Sequence, residues 1–207
     1  MTPRTLLTLL PLSALLLIPG TLRAEDCAAK ATIETVYQEI QGIVTNAPDD
    51  DSMRNDVKAI MMRFIDFGEF GKLSLGTRWE TLDGTQREVY LVEFRELLKR
   101  TYLRRFKRGE AFKVSYRSDC RINSKGTLLE IQTVIHSKDD VEADVDYRFH
   151  KVGDAWLVYD IVVDEVSVMR NYRKSFVNTL EKDGFDKLIE KMKKKKSDRD
   201  EDEEPAG

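Results

Sequence analysis

Few residues of this 207-residue chain are of types that could do chemistry, and they fall into three sets. The first is the pair His136 and His150, both in stretches that read as strands, with no helical or hairpin spacing that would make them metal ligands. The second is Asp160, Asp164 and Glu165, at and just beyond the end of the apolar run Trp156–Val163. A carboxylate held in apolar surroundings is raised in pKa and can act as a general base, which is isomerase chemistry. The structural alternative has Asp160 hydrogen-bonding neighbouring backbone or Arg173, with Asp164 or Glu165 opening the last long helix. The third set is Cys27 and Cys120, which form either one disulfide or two unpaired thiols. No Gly-rich phosphate loop, nucleophile elbow or zinc signature is present, so neither a cofactor nor a metal is expected and the chain does not read as an enzyme.

The elements that must position these residues begin after an export signal. Arg4 gives a positive start, Leu6–Ile18 is an apolar run of roughly thirteen residues, and Leu22-Arg23-Ala24 offers a small residue before a cut. A membrane anchor needs about 20 apolar residues, and this run is shorter and is broken by Pro11. Residues 1–24 therefore read as a cleaved signal peptide, and the mature chain as an exported protein. The formal net charge of −3 becomes about −5 once Arg4 and Arg23 are removed, which argues against nucleic acid as a partner. An oxidising compartment makes the Cys27–Cys120 bridge plausible. In the chain-entropy view a loop of that length contributes up to about 4–5 kcal/mol.

The mature chain reads as helices, then strands, then helices. A helix over Ala28–Thr45 has Ile33, Val36, Tyr37, Ile40 and Val44 on one face, and a second, capped by the aspartates 49–51, runs to about Phe67. Gly68 and Gly71 predict a short, broken piece. Asp83-Gly84-Thr85-Gln86 has the form of a capping box and opens the longest helix, to about Lys107. That helix ends in Arg104, Arg105, Lys107 and Arg108, which read as a solvated helix end or as a contact for an acidic partner or an anionic lipid head group. From Ala111 the period changes to two. Four strands joined by short polar turns, the last being Trp156–Val163, predict an antiparallel meander and an α+β domain over residues 25–193. On simple alternation Leu157, Tyr159, Ile161 and Val163 share one face of the last strand, and Trp156, Val158 and Val162 the other. Residues 194–207, lysines followed by the acidic run to Glu204, read as a disordered charged tail.

Several stretches together resemble the MlaC-like family of periplasmic phospholipid-binding proteins, some of them described as toluene-tolerance factors. They are Val158-Tyr159-Asp160, Val166-Ser167, Asn171-Tyr172-Arg173, Phe176 and Gly184-Phe185-Asp186, with Phe67, Phe70, Leu75-Gly76 and Trp79 as a second region and the apolar stripe of the long helix as a third. The resemblance spans about Tyr37 to Met192. It implies a carrier whose helices and four-stranded sheet enclose an apolar lipid cavity. Such a carrier exchanges phospholipid between an outer-membrane lipoprotein complex and the substrate-binding ring of an inner-membrane ABC transporter, and so maintains outer-membrane lipid asymmetry. Tyr102, Val134, Val145, Tyr147, Trp156, Val158 and Tyr159 are the candidate lipid-lining residues, with either strand face open as the one that meets lipid and ordinary core as the alternative. Outside transport, the rival reading is a periplasmic interaction or chaperone module whose apolar cleft holds protein segments.

Overall fold

The structure is a computed structural model that describes residues 23–117, 120–137 and 141–194, the first six of these by backbone alone. The expected signal peptide, the tail beyond Lys194 and the side chain of Cys27, with its expected bridge to Cys120, lie outside the described residues. Helix α1 (Arg23–Asn46) starts five residues before the predicted Ala28. Helix α2 (Asp50–Phe64) is capped by Asp49, whose carboxylate accepts from Ser52 N at 2.7 Å. It stops three residues short of the predicted Phe67 because Ile65 turns extended and bridges to Val158 of the sheet. There Asp66 N donates to Val158 O at 2.9 Å, and the Asp66 carboxylate accepts from Glu69 N to cap α3 (Phe67–Leu75).

Helix α3 is regular rather than broken, and its glycine has a packing reason. A Cβ on Gly71 would lie 2.7 Å from Leu91 Cδ2 and 3.1 Å from Phe94 Cδ1, so the absence of a side chain lets α3 and α4 approach. A 3-10 turn (Gly76–Thr81) leads to α4 (Gly84–Leu103), which carries the predicted capping box between Asp83 and Gln86 but ends four residues before Lys107.

Among the described residues, six strands follow instead of four. They are β1 (Lys113–Tyr116), β2 (Arg121–Ile122), β3 (Leu128–His136), β4 (Glu142–Val152), β5 (Ala155–Val163) and β6 (Val166–Ser167). The order β1-β3-β4-β5-β6 is wholly antiparallel and open, with β2 also paired to β3. The predicted meander is its centre. Its first strand is an edge broken in two, since the pairing to β3 advances by two residues between β1 and β2. Between β5 and β6, Asp164 and Glu165 both have positive φ, 46° and 65°, as a two-residue hairpin turn demands. The last helix opens later, with Ser167 capping α5 (Val168–Asp183) through Arg170 N. Gly184, at φ 84°, then turns the chain into α6 (Phe185–Lys194).

One irregularity changes which side chains share a face. The β4–β5 register shifts between Arg148 and Phe149, where Arg148 pairs with Asp160 but Phe149 pairs with Val158, leaving Tyr159 as the extra residue of a β-bulge. Simple alternation therefore fails along β5. Trp156 and Val158 lie on the same side as Ile161 and Val163, together with Tyr147 and Phe149 of β4. This inner side is apolar and faces the helices, with Phe64 of α2 edge-on to both Tyr147 and Phe149. The outer side carries ion pairs, Arg117 to Asp144 and Asp146, and Arg148 to Glu130 and Asp160.

Candidate functional site

The inner face of the sheet is filled at one end and open at the other. At the filled end Leu129, Phe149 and Val158 are buried, and α3, α4 and α5 add a cluster of rings in which Phe94 packs against Phe70, Tyr90, Tyr172 and Phe176 at centroid distances of 5.6 to 6.3 Å. Arg173 fixes α5 to this group by donating from Nε and Nη2 to Leu73 O, the carbonyl end of α3, at 2.8 and 2.5 Å. At the open end the sheet presents Ile135, Ala143, Val145, Tyr147, Ile161 and Val163 to a cleft of about 600 Å³. Tyr37 of α1, Met61 and Phe64 of α2, and Leu98 and Tyr102 of α4 form the opposite wall. A cleft of that size lies inside the roughly 300–1,000 Å³ range of small-molecule sites.

The floor holds no formal charge. Tyr37 Oη and Tyr147 Oη lie 2.6 Å apart, joining α1 to β4, and Thr133 Oγ1 donates to Val145 O at 2.7 Å. Burial pushes the Tyr147 phenol well above its ordinary pKa, and the neighbouring Tyr37 adds to that shift. Burial also raises Tyr37, against hydrogen bonds from Tyr147 and Thr133 that lower it. Both phenols are thus neutral across the physiological range. The cleft opens onto the Tyr147 ring, which keeps that residue only half-buried although protein surrounds it.

Charge gathers at the mouth. Residues 105–112, between α4 and β1, line the rim with three cations, Arg105, Lys107 and Arg108, and one carboxylate, Glu110, which lies 3.6 Å from Lys107, flanked by Phe106 and Phe112. The Arg105 guanidinium lies 5.4 Å from the Tyr102 ring centre. Arg108 reaches Asp50 at 3.5 Å and donates to Pro48 O at 3.1 Å, while Gly109 N donates to Val44 O at 2.9 Å. The loop is therefore pinned to α1 and to the turn before α2. Gly109 adopts φ 79°, a conformation glycine reaches without strain.

Of the seven residues singled out in the sequence, Tyr102, Val145 and Tyr147 line this cleft. Trp156 and Val158 share its sheet face but lie outside its lining, toward the filled end. Val134 pairs with Asp144 on the outer side, and Tyr159 occupies the bulge with its ring 5.7 Å from that of His150, so neither meets the cleft. Tyr37, Phe64, Phe106, Phe112, Ile161 and Val163 were not singled out. The bulge hid the last two, and no residue pattern distinguishes the others from ordinary core.

The carboxylate reading is corrected. Asp160 is fully buried on the outer side, accepting from Arg148 Nη1 at 2.9 Å, Ser167 Oγ at 2.7 Å and Met169 N at 3.0 Å. Its partner is Arg148 and not Arg173, and it is too fully bonded and too far round the sheet to act as a base in the cleft. Asp164 and Glu165 form the hairpin turn and do not begin the helix. His136 sits between Ser115 and Glu142 on the outer side, and His150 contacts Asp66 at 3.0 Å. Among the described residues no cluster of three or more His, Cys, Asp or Glu side chains could hold a metal.

The comparisons with known proteins agree with this architecture. The intermembrane phospholipid transport system binding protein MlaC of Haemophilus influenzae is 22% identical over 167 residues, covering 79% of this chain and 78% of that one. A phospholipid-binding protein from Ralstonia solanacearum, solved in complex with a phospholipid, superposes with a TM-score of 0.73 at 20% identity over 81% of this chain and 96% of its own. Residues 30–194 match the family described as MlaC protein, and the chain belongs to that family of phospholipid-binding proteins, which are lipid carriers and not enzymes.

Proposed function

We propose that this protein is a periplasmic phospholipid carrier whose acyl-chain site is the cleft over Ile135, Val145, Tyr147, Ile161 and Val163. The observation that carries the reading is the contrast in that cleft between an apolar, uncharged floor and a cationic rim. A diacyl lipid carries roughly 30 methylenes, and at about 0.8 kcal/mol each their exposure to water costs on the order of 24 kcal/mol. Crossing an aqueous compartment therefore requires that the tails be covered. The cleft floor supplies apolar contact, and Arg105, Lys107 and Arg108 stand where a phosphate would remain wet. The fold resemblance to a protein solved with a phospholipid supports the same assignment.

Cargo is exchanged, on this proposal, between an outer-membrane lipoprotein complex and the substrate-binding ring of an inner-membrane ABC transporter, maintaining outer-membrane lipid asymmetry. The mature chain starts near Glu25 after signal cleavage, residues 25–193 form the lipid-binding domain, and the Cys27–Cys120 bridge ties α1 to the sheet edge. Mass spectrometry of organic extracts from protein purified from the periplasm without detergent tests the central point. One phospholipid per chain is expected. A folded protein that carries none, or that carries peptides instead, would overturn it.

A further inference from the structure

Helices α2 and α4 also meet in a second, smaller recess of about 350 Å³. Five cations line it, Arg54, Lys58, Lys99, Arg100 and Arg104, against one carboxylate, Glu96, which is already paired with the nearly buried Lys99. Arg54 leans outward to Asp50 and Asp51 at 3.8 and 3.4 Å, pairs that are more than 40% exposed and weak. The Nε of Arg100 is buried and has no hydrogen-bond partner among the described residues. The recess is therefore rich in positive charge.

The chain itself leaves the described fold at this point. Arg100 Nη2 donates to Met192 O at 3.2 Å, two residues before the last described residue, Lys194. Beyond it the sequence runs through lysines into residues 198–204, where six carboxylates, Asp198, Asp200, Glu201, Asp202, Glu203 and Glu204, stand against Arg199 alone. Lys193 and Lys194 are already paired, to Glu93 at 3.5 Å and Glu190 at 2.6 Å. From Lys194, where α6 ends, an extended chain reaches about 14 Å to Asp198 and about 34 Å to Glu204. The recess along α4 from Glu96 to Arg104 is only about 12 Å long. A tethered segment also meets its site at an effective concentration of order millimolar, so individually weak pairs suffice to hold it.

We propose that the acidic segment 198–204 docks within the same molecule into the basic recess between α2 and α4. Docked, it covers those cations. The proposal does not depend on the lipid assignment, because no recess residue lines the cleft.

Amide NMR of the full chain, compared with a variant in which the six tail carboxylates become Asn or Gln, tests it. The expected result is a set of shift changes confined to residues 54–58 and 96–104. They should disappear at about 0.5 M salt, where screening shortens electrostatic reach to a few ångströms. The double substitution Arg54→Gln, Lys58→Gln, at two exposed positions, should reproduce them. Carbodiimide cross-linking should join residues 198–204 to Lys58 in the monomer band. Amides at 54–58 and 96–104 that ignore tail neutralisation would overturn the proposal, and so would cross-links to Lys58 found only between two copies.

Discussion

The two ends of the inner sheet face are built from the same strands with the same alternation, yet one is core and the other is a cleft. At the first end Phe149 and Val158 have no exposure, because α3, α4 and α5 bring Phe70, Phe94, Tyr172 and Phe176 down onto them. At the second, α1, α2 and the end of α4 stand back from Val145, Ile161 and Val163, and the space between opens toward a cationic rim. The difference lies in what faces the strands and not in the strands themselves. The cleft in this fold is a place where the helical layer stands back from the sheet.

A charge placed at each end should separate them most sharply. Val158→Asp puts an unpaired carboxylate into the filled end and should cost on the order of 3–5 kcal/mol, enough to deplete folded protein in a urea titration. Asp160→Ala should come next, at about 2–3 kcal/mol, since it strips hydrogen bonds from Arg148, Ser167 and Met169 N on the outer side. It should leave the lipid content of the folded fraction unchanged. Val163→Asp, at the half-buried open end, should cost only about 1–2 kcal/mol because the cleft admits water to the new carboxylate, while bound phospholipid falls more than tenfold by mass spectrometry. Equal stability losses for Val163→Asp and Val158→Asp would break the comparison.

The smallest effect lies in the alkaline range. Tyr147 and Tyr37 are raised above their ordinary pKa near 10, so the unfolded state loses phenolic protons first as pH rises. Their contribution to stability is complete below about pH 10 and is lost as pH climbs through the folded-state values. Tyr147→Phe should make the decline of unfolding free energy above pH 10 shallower by up to about 1.4 kcal/mol per pH unit, and should leave neutral-pH stability within about 1 kcal/mol. An unchanged alkaline slope would show that the phenol is not shielded.

The order of elements, the capping box at Asp83 and the change to strands from Ala111 were legible because each rests on local periodicity or local hydrogen bonding. The exact ends of α2 and α4 were not, since the edge of β5 captures Ile65 and Asp66, and the segment after Leu103 packs back on α1. The lining of the cleft was half legible. Tyr102, Val145 and Tyr147 follow from simple stripes, but the bulge at Tyr159 reverses the parity of β5 and puts Ile161 and Val163 on the face of Trp156 and Val158, which simple alternation sets apart. A one-residue register shift depends on the neighbouring strand and leaves no mark in the run itself. Which apolar residues border a cleft and which border other side chains is likewise a property of the helical layer opposite.

Photo-cross-linking tests the account's central claim most directly. A small diazirine side chain would be placed at Val163 in one variant and at Val158 in another, and each protein purified from the periplasm and irradiated. The account predicts a phospholipid adduct at position 163 and only protein-internal cross-links at position 158. Adducts at both positions, or at 158 alone, would contradict it.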